Sequence, residues 1–280
     1  MNQLEQTVAV FGLGIIGSRS ADNLASATKN VVVWNRTPKS SPNEISCALD
    51  AAKQADTLCF YLKDGVACRE VFETIRPALT ENHVLINHST IDLETTLWLN
   101  EQCEAIGCGF LDCPFTGSKV AAQNGELVYY VAGKDELIEK MTPLLEVTAK
   151  QIIPAGKAGD ATIIKVATNL ISASTVQALS EALAIASANG IPHDSFISAV
   201  SGNACGSPLA AMKLPTMVDG DYDTHFSLDN MLKDARFAIQ LAEKSSLSTP
   251  GIHTTAKVMQ SLCDSGSASL DYSALYKQFD

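Results

Sequence analysis

No cysteine in this sequence has a second one three positions on, and no histidine completes a zinc-ligand spacing around any of the eight cysteines (47, 59, 68, 103, 108, 113, 205 and 263). That excludes the usual metal and C-x-x-C redox signatures, so no metal site is expected, and scattered cysteines of this kind read as reduced thiols of a cytosolic protein. Basic charge is in deficit: 20 Lys and Arg stand against 31 Asp and Glu, for a net charge of −11. Neither nucleic acid nor an anionic membrane suits such a surface as main partner, although a local site can still take a nucleotide-sized anion. The opening stretch MNQLEQTVAVFGLG lacks a basic region followed by a long apolar run. The uncharged run in the middle of the chain is short and rich in Ser, Thr, Asn and Gln, so no bilayer span is expected and the protein is read as soluble and cytoplasmic. That same run, Val166 to Ser180, has no ionisable side chain at all. A surface helix carries charges on its wet face, so this one is expected to be surrounded by protein. Lys165, immediately before it, must therefore snorkel, pair, or be kept for chemistry.

What the sequence does have is apolar content, 46% over 280 residues, enough for two domains of ordinary size. The first half alternates short β-branched runs (TVAVF, NVVVW, TLCFYL, HVLIN, GFLDC, LVYYVAG) with helical patterns, which predicts a mostly parallel sheet wrapped by helices. Near Ile153 the strand-like runs stop. Long helical patterns follow over 159–189, 228–244 and 251–263, with a short last helix over 274–279. The expected boundary lies in PAGKAG, giving domains 1–158 and 159–280, the second all-helical. A helix of about 30 residues from Gly159 is roughly 45 Å long, more than one domain needs, and is expected to join the two.

Val8 to Phe11 leads directly into Gly12-Leu13-Gly14-Ile15-Ile16-Gly17, a G-x-G-x-x-G between a strand and a helical pattern. In that context the first glycine allows the tight turn, the second lets backbone approach a pyrophosphate, and the third lets helix pack on strand. This predicts a doubly wound Rossmann domain. The next strand ends Asn35-Arg36-Thr37, where an acid would bind a ribose 2′-hydroxyl and repel a 2′-phosphate. A neutral side chain followed by a guanidinium favours NADP over NAD. Two further strand-to-loop junctions, Asn87 to Thr90 and Asp112 to Lys119, fall on the rim where open α/β sheets bind ligands. Thr116-Gly117-Ser118 offers hydroxyls and backbone N–H groups to a carboxylate or carbonyl, or is a polar turn. His88 is a general-base candidate by residue type, though rim histidines are often plain loop residues.

Four motifs together resemble the β-hydroxyacid dehydrogenase family. GLGIIG resembles its GLGxMG, DCPFTGSKVAAQNG its DxPVSGGxxxAxxG, GKAGDATIIKVATN its Gly-rich lead into K-x-x-N-N, and Leu232-Lys233-Asp234 its late Lys-Asp. The resemblance implies that Lys165 is catalytic, that Thr116, Gly117, Ser118, Asn169 and Lys233 meet the substrate, and that Leu62, Thr90 and Lys233 meet the cofactor beside Gly12 to Gly17 and Asn35 to Thr37. Thr116 stands where the family has serine, Ala161 where it has glycine, and Thr168 where it has the first of two asparagines. Ser118-Lys119 in place of Gly-Gly is more similar to glyoxylate/succinic semialdehyde reductases than to 3-hydroxyisobutyrate dehydrogenases. Imine reductases share the architecture but lack the lysine.

The residues support the same chemistry independently. Lys165 and Asn169 are four apart, so on a helix they share a face, which Thr162 and Ser172 extend into a narrow polar stripe. An ammonium there stabilises the oxygen that gains negative charge as a carbonyl accepts hydride, and can protonate it. The expected function is NADPH-dependent, reversible reduction of a small carboxylate-bearing aldehyde by a homodimer or homotetramer. The alternatives are an NAD-linked 3-hydroxyisobutyrate or tartronate semialdehyde-type dehydrogenase and a non-catalytic NADP-binding regulatory or dimerisation module.

Overall fold

The computed structural model describes residues 4–280; the first three positions, part of the stretch read above for a leader, lie outside the described residues. Two compact units divide at Lys165 and Val166. The first contains β1 (Leu4–Phe11), α1 (Ile15–Ala27), β2 (Thr28–Trp34), α2 (Ala48–Ala52), β3 (Thr57–Phe60), α3 (Gly65–Ile75), β4 (Val84–Asn87), α4 (Leu93–Ile106), β5 (Gly109–Asp112), β6 (Phe115–Thr116), α5 (Lys119–Gln123), β7 (Leu127–Ala132), α6 (Asp135–Leu145) and β8 (Ala149–Gly156). Strand order is β2-β1-β3-β4-β5-β7-β6, with β8 on β7, and β1 to β5 are all parallel. Helices cover both faces, so the strands bury side chains in both directions: Val8 and Val10 enter one core, Ala9 and Phe11 the other. Every residue of β3 and β4 is buried, which is why those runs read as continuously apolar rather than alternating.

Beyond β5 the mostly parallel sheet becomes mixed. β6 and β7 pair antiparallel, which turns β7 against the direction of β5 as well. The connection 117–126 from β6 to β7 closes a hairpin through the five-residue α5 and does not carry the chain across the sheet as a parallel neighbour needs. β8 then runs parallel to β7 as far as Gly156, through Pro154, so the strand pattern outlasts the change of character read at Ile153. An edge strand tolerates the missing proline N–H.

α7 (Asp160–Ala188) leads from the first unit into the second, followed by α8 (His193–Ser201), α9 (Pro208–Asp219), α10 (Leu228–Lys244), α11 (Pro250–Leu262) and a 3-10 run, Tyr272–Phe279. By length and apolar composition α7 is sufficient to cross a bilayer, contrary to the reading of its Ser, Thr, Asn and Gln content. Its place in the fold accounts for the composition: Ala173, Val176, Leu179 and Leu183, three to four apart, enter the core of the helical unit beside Leu214, Met217, Met231 and Met259. In the same unit Lys213 Nζ lies 2.6 Å from Asp271 Oδ1, both buried, while Asp271 Oδ2 accepts from Phe226 N at 3.1 Å and so pins the last segment.

Candidate active site

Register sets the candidate residues side by side. Trp34, Phe11, Phe60, Asn87 and Asp112 form one row across the five parallel strands, since each is the partner of the next. Asn35, Gly12, Leu62 and Thr90 follow within three residues of that row, at the carboxyl ends where open sheets bind ligands. Two of the three loop glycines are demanded by the fold. A Cβ on Gly12, at φ +102, would collide with the Tyr61 carbonyl, and one on Gly17 with the carbonyl of Gly12. Gly14 is different: a Cβ there meets nothing within 4 Å, and its φ of −73 and ψ of −169 suit any residue. The fold does not demand a glycine at that point, and its bare backbone is open to a group approaching from outside. Gly14 is also the N-cap of α1 with no side-chain cap, so the first-turn N–H groups are left to face an anion. The loop therefore fits a nucleotide pyrophosphate.

Asn35 braces this loop. Leu13 N donates to its Oδ1 at 2.8 Å and its Nδ2 donates to Thr37 O at 2.6 Å. Leu62 lies against Gly12, and its N–H donates to Ser89 Oγ at 2.8 Å, tying it to the residue before Thr90. Arg36 and Thr37 remain exposed, with the Arg36 guanidinium 4.0 Å from Glu70. Thr116 and Ser118 are half-buried around an exposed Gly117. Ser118 Oγ accepts from Ala121 N at 3.2 Å as the N-cap of α5, so its oxygen is engaged while its proton remains available to donate.

Lys165 is 8% exposed and stands one turn into α7. The start of that helix is fixed by Asp112, whose Oδ2 accepts from Gly159 N at 3.1 Å and Thr162 N at 2.9 Å while Oδ1 accepts from Thr162 Oγ1 at 2.8 Å. Burial pushes the Asp112 carboxyl up to about 6, against the opposing pull of those donors. In the helical unit, Asn169 Nδ2 donates to Asp234 Oδ2 at 2.6 Å, and Lys233 Nζ sits 2.9 Å from Asp234 Oδ1. Asp234 is fully buried, so one carboxylate orients both the Asn169 amide and the Lys233 ammonium.

A family model for the NAD-binding domain of 6-phosphogluconate dehydrogenase matches residues 7–156, and one for the NAD-binding of NADP-dependent 3-hydroxyisobutyrate dehydrogenase matches 159–279. Glyoxylate/succinic semialdehyde reductase 2 of Arabidopsis thaliana is 31% identical over 87% of this chain and 71% of its own. The chain belongs to the β-hydroxyacid dehydrogenase family. Glyoxylate/succinic semialdehyde reductase 1 of the same plant is 29% identical over 96% of both chains. The solved structure of Mycobacterium tuberculosis 3-hydroxyisobutyrate dehydrogenase with L-serine shares the fold at a TM-score of 0.89, with 24% identity over 98% of this chain and 99% of its own.

As a β-hydroxyacid dehydrogenase family member, the protein is an oxidoreductase with a nicotinamide cofactor. Two features of its site escaped sequence reasoning. Asp234 was visible only as half of a Lys-Asp pair; the available signal was an acid in the buried register of α10, which runs Met231, Asp234, Ala235, Ala238, Ala242. His88 proves to be a core residue, 2% exposed and stacked on Tyr61 at 4.5 Å. Its Nδ1 lies 2.9 Å from Cys113 O, and since a carbonyl only accepts, that nitrogen carries the proton. Burial pulls its pKa down to about 4, so it is neutral at pH 7, and it is its place in the core that takes it off the rim where a base would meet substrate.

Proposed function

We propose that the protein is an NADPH-dependent reductase of a small carboxylate-bearing aldehyde, of glyoxylate or succinic semialdehyde type, and that Lys165 is its general acid and base. The observation that carries this reading is a lysine 8% exposed at the start of an apolar helix, in a turn fixed to the carboxyl end of β5. A nicotinamide cofactor, when bound, supplies the hydride. The Lys165 ammonium stabilises the oxygen that becomes an alkoxide and delivers the proton from Nζ; in the reverse direction Nζ takes that proton back. Asn169, its amide rotation fixed by Asp234, and Lys233 serve substrate and cofactor. Thr116, Gly117 and Ser118 hold the carboxylate through hydroxyl and N–H donors.

NADPH is favoured because β2 ends without an acid and Asn35 is engaged with the loop, which leaves the exposed Arg36 guanidinium to meet a 2′-phosphate. The NAD-linked alternative has one observation on its side, Glu70 at 4.0 Å from Arg36. A surface pair of that length is worth about 0–1 kcal/mol, less than a phosphate contact. Assembly as a homodimer or homotetramer is supported by Ile171 and Ile185, 62% and 66% exposed on one face of α7, and a reducing cytoplasm by eight free cysteines. The deciding assay offers glyoxylate and succinic, methylmalonic and tartronate semialdehydes with NADPH and NADH in parallel, to the wild type and to Lys165→Met. The expected result is NADPH preference, best turnover on glyoxylate or succinic semialdehyde, and loss of kcat by several orders of magnitude in the variant with NADPH affinity kept. Near-normal kcat in Lys165→Met refutes the mechanism.

A further inference from the structure

Helix α7 cannot cap itself. Its N-cap position is Gly159, which has no side chain, and a Cβ there would meet Leu93 Cδ1 at 2.8 Å and Leu97 Cδ2 at 3.2 Å while the backbone sits at φ +97. The positive φ, beside a closely packed α4, thus favours glycine at the point where Ser, Thr, Asp or Asn would normally accept from the N3 amide. The missing acceptor comes from another element, 47 residues earlier in the chain. Asp112, the last residue of β5, accepts from the N-cap and N3 amides, Gly159 N at 3.1 Å and Thr162 N at 2.9 Å. It also accepts from Thr162 Oγ1, whose hydroxyl lies 3.0 Å from Thr96 Oγ1 on α4. All these groups are buried: Asp112 and Thr96 are 0% exposed and Thr162 2%. The first turn is therefore clamped from two sides, by the sheet end and by α4, and Lys165 is the next residue on that face, three positions after Thr162.

We infer that Asp112 is a positioning residue for Lys165: it acts as a remote N-cap that fixes the rotation and axial position of the first turn of α7, and so the place of Nζ, without touching substrate or cofactor. This rests on the reading of Lys165 as the acid and base. A full carboxylate facing the positive end of a helix also explains why a strand that is otherwise apolar ends in a buried acid.

The test is a double-mutant cycle on purified protein, with kcat normalised to NADPH-binding sites. Asp112→Ala removes all three bonds; Asp112→Asn keeps the shape, an acceptor for the amides and a donor for Thr162 Oγ1. The expected result is a fall in kcat of about tenfold or more for Asp112→Ala, with NADPH affinity within about twofold of wild type, and recovery to within about threefold in Asp112→Asn. With 4-deuterated NADPH the isotope effect on kcat should rise in Asp112→Ala, because misplacing Nζ slows the chemical step, whereas a purely structural loss leaves it unchanged. In single turnover, adding Asp112→Ala to Lys165→Met should cost little further rate, since the group it positions is already gone. Unchanged kcat per binding site in Asp112→Ala, or the same fractional loss with and without Lys165, overturns the inference while leaving Lys165 standing. Normal kcat in Lys165→Met alone overturns the reading beneath it. If Asp112→Ala does not fold, Thr162→Val, which removes the hydroxyl's bonds to Asp112 and to Thr96 but keeps both amide bonds to Asp112, should lower kcat severalfold and raise the isotope effect at an unchanged NADPH affinity; wild-type kcat there refutes the inference.

Discussion

Replacing His88 by phenylalanine should flatten the acid limb of the stability profile. His88 stacks on Tyr61 at 4.5 Å and 16° and lies 4.8 Å from the Tyr129 ring, so phenylalanine preserves the ring packing while removing the titration. Burial holds the imidazole at about 4 against an ordinary 6.5. A depressed histidine favours the fold above 6.5 and loses that contribution as pH falls towards 4, because the unfolded chain binds the proton first. At about 1.4 kcal/mol for each tenfold step in proton activity, the whole effect approaches about 3 kcal/mol, and about 2 kcal/mol of it is gone by pH 5. Asp112 works in the opposite sense: raised to about 6 by burial, it favours the fold below 3.8 and loses that contribution as pH rises through 6. The wild-type profile alone therefore mixes two opposing slopes, and the informative quantity is the difference between the two proteins, in which Asp112 cancels. Urea unfolding followed by tryptophan fluorescence suits the question, since the only two tryptophans, Trp34 and Trp98, both lie in the first unit and report on its unfolding. Loss of the bond to Cys113 O lowers the stability of His88→Phe by about 1–3 kcal/mol at every pH, a constant offset. What should change is the gap, by about 2 kcal/mol in favour of the variant between pH 7.5 and pH 5. A gap constant to within about 0.5 kcal/mol over that range refutes the claim that His88 is buried neutral.

Gly14→Ala should leave the unfolding midpoint unchanged or slightly raised, because a Cβ there meets nothing within 4 Å, while weakening NADPH binding by about tenfold or more; equal loss of stability would show that the glycine serves the fold. Arg36→Ala should weaken NADPH binding about tenfold and leave NADH nearly unaffected, measured by fluorescence titration; equal losses would make Arg36 structural. Succinic semialdehyde should exceed butanal in kcat/KM by at least about tenfold if Thr116 to Ser118 hold a carboxylate, and equal efficiency would remove that role.

Much of this molecule was legible because local pattern and global position agree. The apolar runs at Val8, Val31, Leu58, Val84 and Phe110 became strands because parallel strands are buried on both faces, so their signal is continuous and needs no partner to be read. α10 fell on 228–244 as its periodicity indicated. The sense of β7 was not legible, since side-chain alternation is the same in either direction and only the hairpin with β6 decides. β8 was obscured by Pro154, which argues against a central strand and is silent about an edge one. The division within the G-x-G-x-x-G was legible from the motif: Gly12 and Gly17, read for the turn and for helix packing, are excluded from bearing a side chain by their neighbours, and Gly14, read for the approach of a pyrophosphate, is not.

The polar residues divide along a similar line. Lys165 stood out because fifteen uncharged positions follow it, so the anomaly lies within one helix and periodicity exposes it. Asp112 and Asp234 are no less buried, but the groups that explain them are distant in sequence: Asp112 meets an amide 47 residues on, and Asp234 an asparagine 65 residues back. A local reading sees an acid at a strand end and an acid beside a lysine, both ordinary. Each acquires its meaning from a donor that another element delivers, Gly159 because its own position favours glycine, Asn169 because its amide would otherwise rotate. A buried acid with a distant donor fixes an orientation that the helix alone leaves open. In this protein, both acids act on the helix that carries Lys165.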